Sequence, residues 1–176
     1  MSNPSLPAGT VMVPSNITFS AMSAADHAAV LGLHEAVFGP GRFARTAFRL
    51  RERAAPLLGL SLVARQEGAL IGAVSMSRIV VGGQRGVLLG PLAVLQDKRD
   101  LGVGKALLQS AVKATFAAKE PFVLLVGDLA YYAPAGFAVV PFGSVQMPGP
   151  VDPSRLLVAG NSAFQTNLHG VVEGVL

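Results

Sequence analysis

The chain has 176 residues, of which 51% are hydrophobic and 14% charged, with a formal net charge of +4 and no cysteine. This length suits one domain with a full core and is short for two. The lack of cysteine excludes disulfides, thiolate metal sites and thiol nucleophiles, and the basic residues are too scattered for the stripe that tracks a nucleic-acid backbone.

Residues 1–16, with Pro4, Pro7 and Pro14, read as a flexible N-terminal arm, and residues 17–176 as a single domain. The arm lacks the charged start and continuous apolar run of a secretory signal. Every apolar stretch is interrupted before it reaches membrane-spanning length, so a cytoplasmic chain without membrane contact is expected. The apolar composition leaves a homodimer interface open.

Ile17 to Ala21 reads as a first strand, and Ser23 as the N-cap of a helix over Ala24 to Val37, with Asp26 completing a capping-box-like start. The FGPG turn ends that helix. A second helix is expected from about Ala44 to Arg53, with Phe43, Ala47 and Leu50 on its inner side and Arg42, Arg45, Arg49 and Arg53 largely on the other. The basic run from Arg45 to Arg53 is either a solvated helix face or a charge focus for an anionic cofactor or acidic substrate.

Leu60 to Arg65 and Ala69 to Val80 read as strands joined by the QEG turn, and GGQRG leads into a third over Val87 to Val94. Their short connections predict antiparallel pairing. A helix from Gly102 to about Lys119 would pack through Val103, Ala106, Leu107, Ser110, Ala111 and Ala114. The apolar run Phe122 to Val126 reads as a strand covered on both faces, parallel to the preceding one because a helix separates them. LAYYAP makes a helical turn, GFAVV a sixth strand and Gly143 to Met147 a seventh. After Pro148, Pro150 and Pro153 the tail has low periodicity, with Leu156 to Val158 packing locally.

The segment from Gly90 to Lys105, GPLAVLQDKRDLGVGK, passes from an apolar strand through a polar turn into a glycine-opened helix. Unpaired N–H groups at a helix start, aided by the positive end of the helix dipole, suit a phosphate or diphosphate, and Gly102 and Gly104 keep Cβ atoms out of its way. Neither the dinucleotide G-x-G-x-x-G fingerprint nor the triphosphate loop is present. His27, His34 and His169 form no metal-ligand pattern.

Arg99-Asp100-Leu101-Gly102-Val103-Gly104 matches Q/R-x-x-G-x-G/A, and from Val87 to Val112 the chain resembles the signature of the GNAT superfamily of acyl-CoA N-acyltransferases. Tyr131-Tyr132-Ala133-Pro134-Ala135-Gly136-Phe137 resembles the Tyr-x-x-x-Gly-Phe segment of that family. LGPLAV, the GD-x-x-YY step and MPGPVDPSRLL resemble a bacterial subgroup of predicted acetyltransferases.

The resemblance implies an α/β (α+β) fold: a mixed, mostly antiparallel sheet with helices on both faces and a splayed central strand pair. It implies acetyl-CoA or coenzyme A as cofactor, its diphosphate on the amides of Arg99, Asp100, Leu101, Gly102, Val103, Gly104, Lys105 and Ala106. The pantetheine arm would pair with the backbone of Leu92, Ala93 and Val94. Tyr132 corresponds to the residue that in many members faces the departing sulfur, where a phenol can hydrogen-bond or protonate the thiolate; the alternative is a ring packed on the core that caps a loop, and Tyr131 is structural or substrate-facing.

His34, Glu35 and Asp128 are candidates for a base or for substrate contact, beside a route through bound water. Ala133-Pro134-Ala135 stands where relatives often carry a charge, which implies a different acceptor or an impaired site. The implied activity is acyl transfer to the primary amine of a small-molecule or peptide acceptor, without a metal. The alternative is a non-catalytic acyl-CoA-binding or regulatory domain.

Overall fold

The computed structural model describes residues 11–176. Strand β1, Ile17–Ala21, pairs antiparallel with β2, Leu62–Gln66. Between them, Ser23 caps a single 3-10 turn, Ala24–Asp26, before helix α1, His27–Phe38. The Asp26 carboxylate accepts from the Ser23 N–H at 2.8 Å and hydroxyl at 3.0 Å, and also from Arg65 of β2. Gly39, at φ 64°, ends α1 where the FGPG turn places it.

The second helix differs from expectation. Pro40–Ala44 form a 3-10 turn, Arg45 is extended at φ −73° and ψ 135°, and only Thr46–Arg51, α2, is α-helical. Helical periodicity therefore does not carry from residue 43 to residue 47. Phe43 is 52% exposed rather than inward, while Leu50 is buried as expected.

The long strand β3, Ala69–Val81, joins β2 through Glu67 and Gly68, both with positive φ, and joins β4, Gln84–Val94, through Gly82 and Gly83, also both positive. Both are the turns whose twist suits a two-residue hairpin. Helix α3, Val103–Ala117, then leads to β5, Phe122–Val126, which lies parallel to β4. The inner face of α3 is Val103, Leu107, Leu108, Ala111, Val112 and Thr115, with Ser110 exposed. The face is thus rotated from the small-residue stripe toward the bulkier leucines and valine, which bury more apolar area.

Helix α4, Leu129–Tyr132, continues into a 3-10 turn at Ala133–Ala135, followed by two short strands, β6 at Ala138–Val139 and β7 at Val145–Gln146. The tail is more ordered than its composition suggested. Leu156–Gly160 forms β8, which inserts between β5 and β6 and pairs antiparallel with both. Helix α5, Ser162–Asn167, leads to β9, Gly170–Gly174, which pairs with the far end of β3. The chain thus forms the expected mixed, mostly antiparallel sheet, in the order β1-β2-β3-β4-β5-β8-β6.

Both faces of the sheet are covered, so β5 alternates between two cores. Val123 and Leu125 pack with Leu107 and Ala111 of α3, while Phe122 and Leu124 pack with Leu50, Leu168 and Val172 on the other face. Helix α1 adds Val30 and Leu33 against Val63, Ala73 and Ala93. Arg78 of β3 grips Glu120, at the entry to β5, through two bonds of 2.6 Å, which holds the Glu120 carboxyl below its ordinary value.

Candidate active site

The sheet opens at one place. Val87 and Leu88 of β4 pair with Val123 and Leu124 of β5, but β4 continues to Val94 without β5 beside it. Gly90 and Pro91 stand opposite the single residue Ser75, between the pairs Met76–Leu89 and Val74–Leu92. Proline lacks a ladder donor, and Gly90, at φ 128°, takes a conformation that suits glycine. The result is a kinked strand whose Leu92 to Val94 stretch is paired on the β3 side and released on the other.

The glycine turn follows directly. A 3-10 turn over Gln96–Leu101 ends at Gly102, left-handed at φ 77°, where α3 begins with no side-chain cap. The first ladder bond runs from the Ala106 N–H to the Gly102 carbonyl at 3.0 Å, so among the described residues the N–H groups of Val103, Gly104 and Lys105 are the unpaired donors of the helix start. Arg99, Asp100 and Lys105 are exposed around them, and Leu101 is half-buried.

Of the expected arm, residues 1–10 lie outside the described residues. Val13 packs on the core, and a Cβ added at Gly102 would meet Val11 Cγ1 at 2.9 Å and the Met12 carbonyl at 3.1 Å. The turn is thus flanked by the chain's own beginning.

The two tyrosines of α4 point to different neighbours. A Cβ added at Gly104 would lie 2.6 Å from the Tyr131 hydroxyl and 3.5 Å from Val94 Cγ2. The Tyr131 phenol therefore reaches the space between the β4 end and the α3 start. Tyr132 packs against the core, edge-on to Tyr131 at 5.0 Å and to Phe137 at 5.9 Å. Burial, and to a lesser extent Tyr131, push its phenol up to about 12, so it is protonated throughout the ordinary pH range.

The three candidate bases have unlike settings. Glu35 and Asp128 are exposed, and the Asp128 side chain makes no cap bond to α4. His34 is only 9% exposed, and among the described residues its Nε2 has no hydrogen-bond partner. Burial first, then the charges of Arg51 and Arg42, lower its pKa to about 4. It is a neutral hydrogen-bonding group and a weak base.

A folded pKa below the unfolded one means that this contribution to stability is complete above pH 6.5 and is lost as pH falls toward 4. The loss is on the order of 3 kcal/mol. In urea titrations across that range, His34→Gln should remove this limb while leaving the carboxylate-driven loss at lower pH.

Arg45, Arg49 and Arg53 of the basic run are exposed, as expected of the outer face. Arg51 is half-buried, with Nη1 3.7 Å from where a Cβ at Gly90 would be. Periodicity carried a signal for this, since Arg51 lies four residues after Ala47 on the inward face. The buried Thr46 hydroxyl donates to the Pro150 carbonyl at 2.8 Å, so the proline-rich turn braces α2 from behind.

A separate depression of about 390 Å³, lined by Phe116, Glu120, Pro121, Gly160, Asn161 and Phe164, lies at the entry to β5, the opposite end from the opening. Among the described residues there is no group of three potential metal ligands. No described helix is long and apolar enough to cross a membrane.

The family model described as Acetyltransferase (GNAT) family matches residues 29–137, which include the kinked strand, the glycine turn and the tyrosine segment. The chain belongs to the GNAT acetyltransferase family. It is 26% identical over 130 residues to YjhQ of Escherichia coli K12, named an uncharacterized N-acetyltransferase, a match covering 72% of each chain. The GNAT family N-acetyltransferase YhbS of Escherichia coli, solved in complex with CoA, shares the fold with TM-score 0.75 at 23% identity, covering 98% of this chain and 92% of that one. A GNAT family acetyltransferase of Brucella melitensis, solved with acetyl-CoA, matches with TM-score 0.61 at 27% identity, covering 84% and 97%. The YhbS match extends beyond residues 29–137, over nearly the whole of this GNAT chain.

Proposed function

We propose that this protein transfers the acetyl group of acetyl-CoA to the primary amine of a small-molecule or peptide acceptor, by direct attack and without a covalent enzyme intermediate. The observation that carries this reading is the adjacency of two sets of free backbone groups, the helix-start amides of Val103 to Lys105 and the β4 edge from Leu92 to Val94. The CoA and acetyl-CoA bound in two similar structures support it. These residues fit the cofactor: the glycine at 104 leaves room beside the Tyr131 hydroxyl, which a Cβ there would meet at 2.6 Å, and the donors of the helix start match a diphosphate.

Amides of Val103, Gly104 and Lys105 hold the diphosphate, with Arg99, Asp100, Leu101, Gly102 and Ala106 at the margins of the turn, and Leu92, Ala93 and Val94 pair with the pantetheine arm as an added strand would. When bound, acetyl-CoA supplies the activated thioester. Tyr132 donates its phenolic proton to the departing sulfur, and its raised pKa keeps that proton on the phenol beforehand. Tyr131 lines the cofactor path beside Gly104. With Glu35 and Asp128 exposed and His34 weakly basic, the ammonium proton leaves through bound water.

Coenzyme A release from acetyl-CoA on addition of an amine panel tests the reading. Tyr132→Phe should lower kcat about a hundredfold with cofactor affinity kept, whereas Tyr131→Phe should act on cofactor affinity. The wild-type rate should hold its plateau past pH 10, the ordinary phenol value. Tight coenzyme A binding with no turnover for any amine would favour the alternative, a non-catalytic acyl-CoA-binding domain.

A further inference from the structure

Arg51 is a cation without an anion. It is half-buried, no hydrogen bond or ion pair holds its guanidinium among the described residues, and the nearest ring, Phe48, lies 5.8 Å away. Burial and the nearby charge of Arg45 lower its pKa to about 10, and no carboxylate of the described residues opposes them. Arg42 lies over Phe43 at 4.1 Å and donates to the Gly39 carbonyl at 2.6 Å, and Arg45 lies over Phe38 at 5.2 Å. Facing this group is His34, buried and with an orphaned Nε2.

A half-buried guanidinium and a buried imidazole, neither satisfied by a described residue and with Arg42 and the exposed Arg45 nearby, are costly for a ligand-free protein to hold together. A buried guanidinium that no side chain satisfies is arranged for a planar anion, which it binds through two parallel bonds.

The position of Arg51 separates this anion site from the diphosphate cradle. Its head lies beside Gly90, at the β4 kink, four residues and roughly 13 Å along the strand from Val94, with the glycine turn beyond. We infer that the acceptor carries a carboxylate or phosphate as well as its amine, and that Arg51, supported by Arg42, Arg45 and His34, holds that group at the opening between β4 and β5. This rests on the acetyl-transfer reading. It narrows the acceptors to amino acids, phosphoamines and similar anionic amines, against polyamines and neutral amino sugars.

The test uses matched amines: lysine against 1,5-diaminopentane, phosphoethanolamine against ethanolamine, and glucosamine 6-phosphate against glucosamine. In at least one pair kcat/KM should favour the anionic member by about 30-fold or more, as a charge-assisted bond requires. The pair that discriminates tells carboxylate from phosphate. Arg51→Gln should collapse that ratio to within about threefold, mainly through KM, with coenzyme A affinity unchanged, while the exposed Arg49→Gln keeps it.

Independently, inorganic phosphate at fixed ionic strength, with coenzyme A present, should raise the Tm of wild type and Arg49→Gln more than that of Arg51→Gln. If no amine is turned over, the transfer reading fails, and the phosphate shift still decides the anion site. Equal phosphate shifts in all three proteins, or a preference for the neutral amines, would overturn the inference.

Discussion

Gly104→Val should weaken coenzyme A binding about a hundredfold while leaving the fold intact. Gly104 sits in the first turn of α3, where a Cβ suits the backbone, and replacing glycine there costs no helix propensity. What the Cβ meets is the Tyr131 hydroxyl at 2.6 Å and Val94 Cγ2 at 3.5 Å, the walls of the proposed cofactor path. A branched side chain there either drives Tyr131 aside or fills the approach to the unpaired amides, and in both cases the diphosphate loses its close contact with the backbone. Calorimetric titration with coenzyme A, beside thermal unfolding of the ligand-free proteins, separates lost binding from lost stability. Unchanged affinity would mean that the cofactor does not pass over residue 104.

The second large effect concerns the tail. Leu157→Ala should destabilise the protein by about 3–4 kcal/mol, the range of a leucine truncated in a rigid core. Leu157 is fully buried in β8, paired with Leu125 of β5 and Val139 of β6, and packs in the same cluster as Leu107 of α3. Val171→Ala, at a half-exposed position of β9, should cost about 0.5 kcal/mol or less. Urea midpoints for the two variants read the difference. A small loss for Leu157→Ala would show that β8 is not an integral strand.

Legibility followed the range of the physical signal. The hairpins were readable because Glu67-Gly68 and Gly82-Gly83 carry local turn chemistry, and β5 because five consecutive apolar residues have to be covered on both faces. The glycine turn was readable because the donors it leaves open are determined by its own backbone. Strand β8 was not, since its partner β5 lies some thirty residues earlier and only tertiary pairing shows that LLVAG belongs in mid-sheet.

Helix α2 was misjudged in length because Pro40 and extended Arg45 break the periodicity. Arg51 was missed because a helical arginine reads as solvated until its neighbours are known. The unequal settings of Tyr131 and Tyr132 also lay beyond the sequence, as adjacent residues on a four-residue helix have no periodicity to separate them.

Amide hydrogen exchange with and without coenzyme A tests most directly whether this GNAT chain holds its cofactor on free backbone groups. Exchange at Leu92 to Val94 and at Leu101 to Lys105 should slow together on binding, with Val87 and Leu88, already paired to β5, unaffected. Binding that protects neither segment, or no binding at all, would contradict the account.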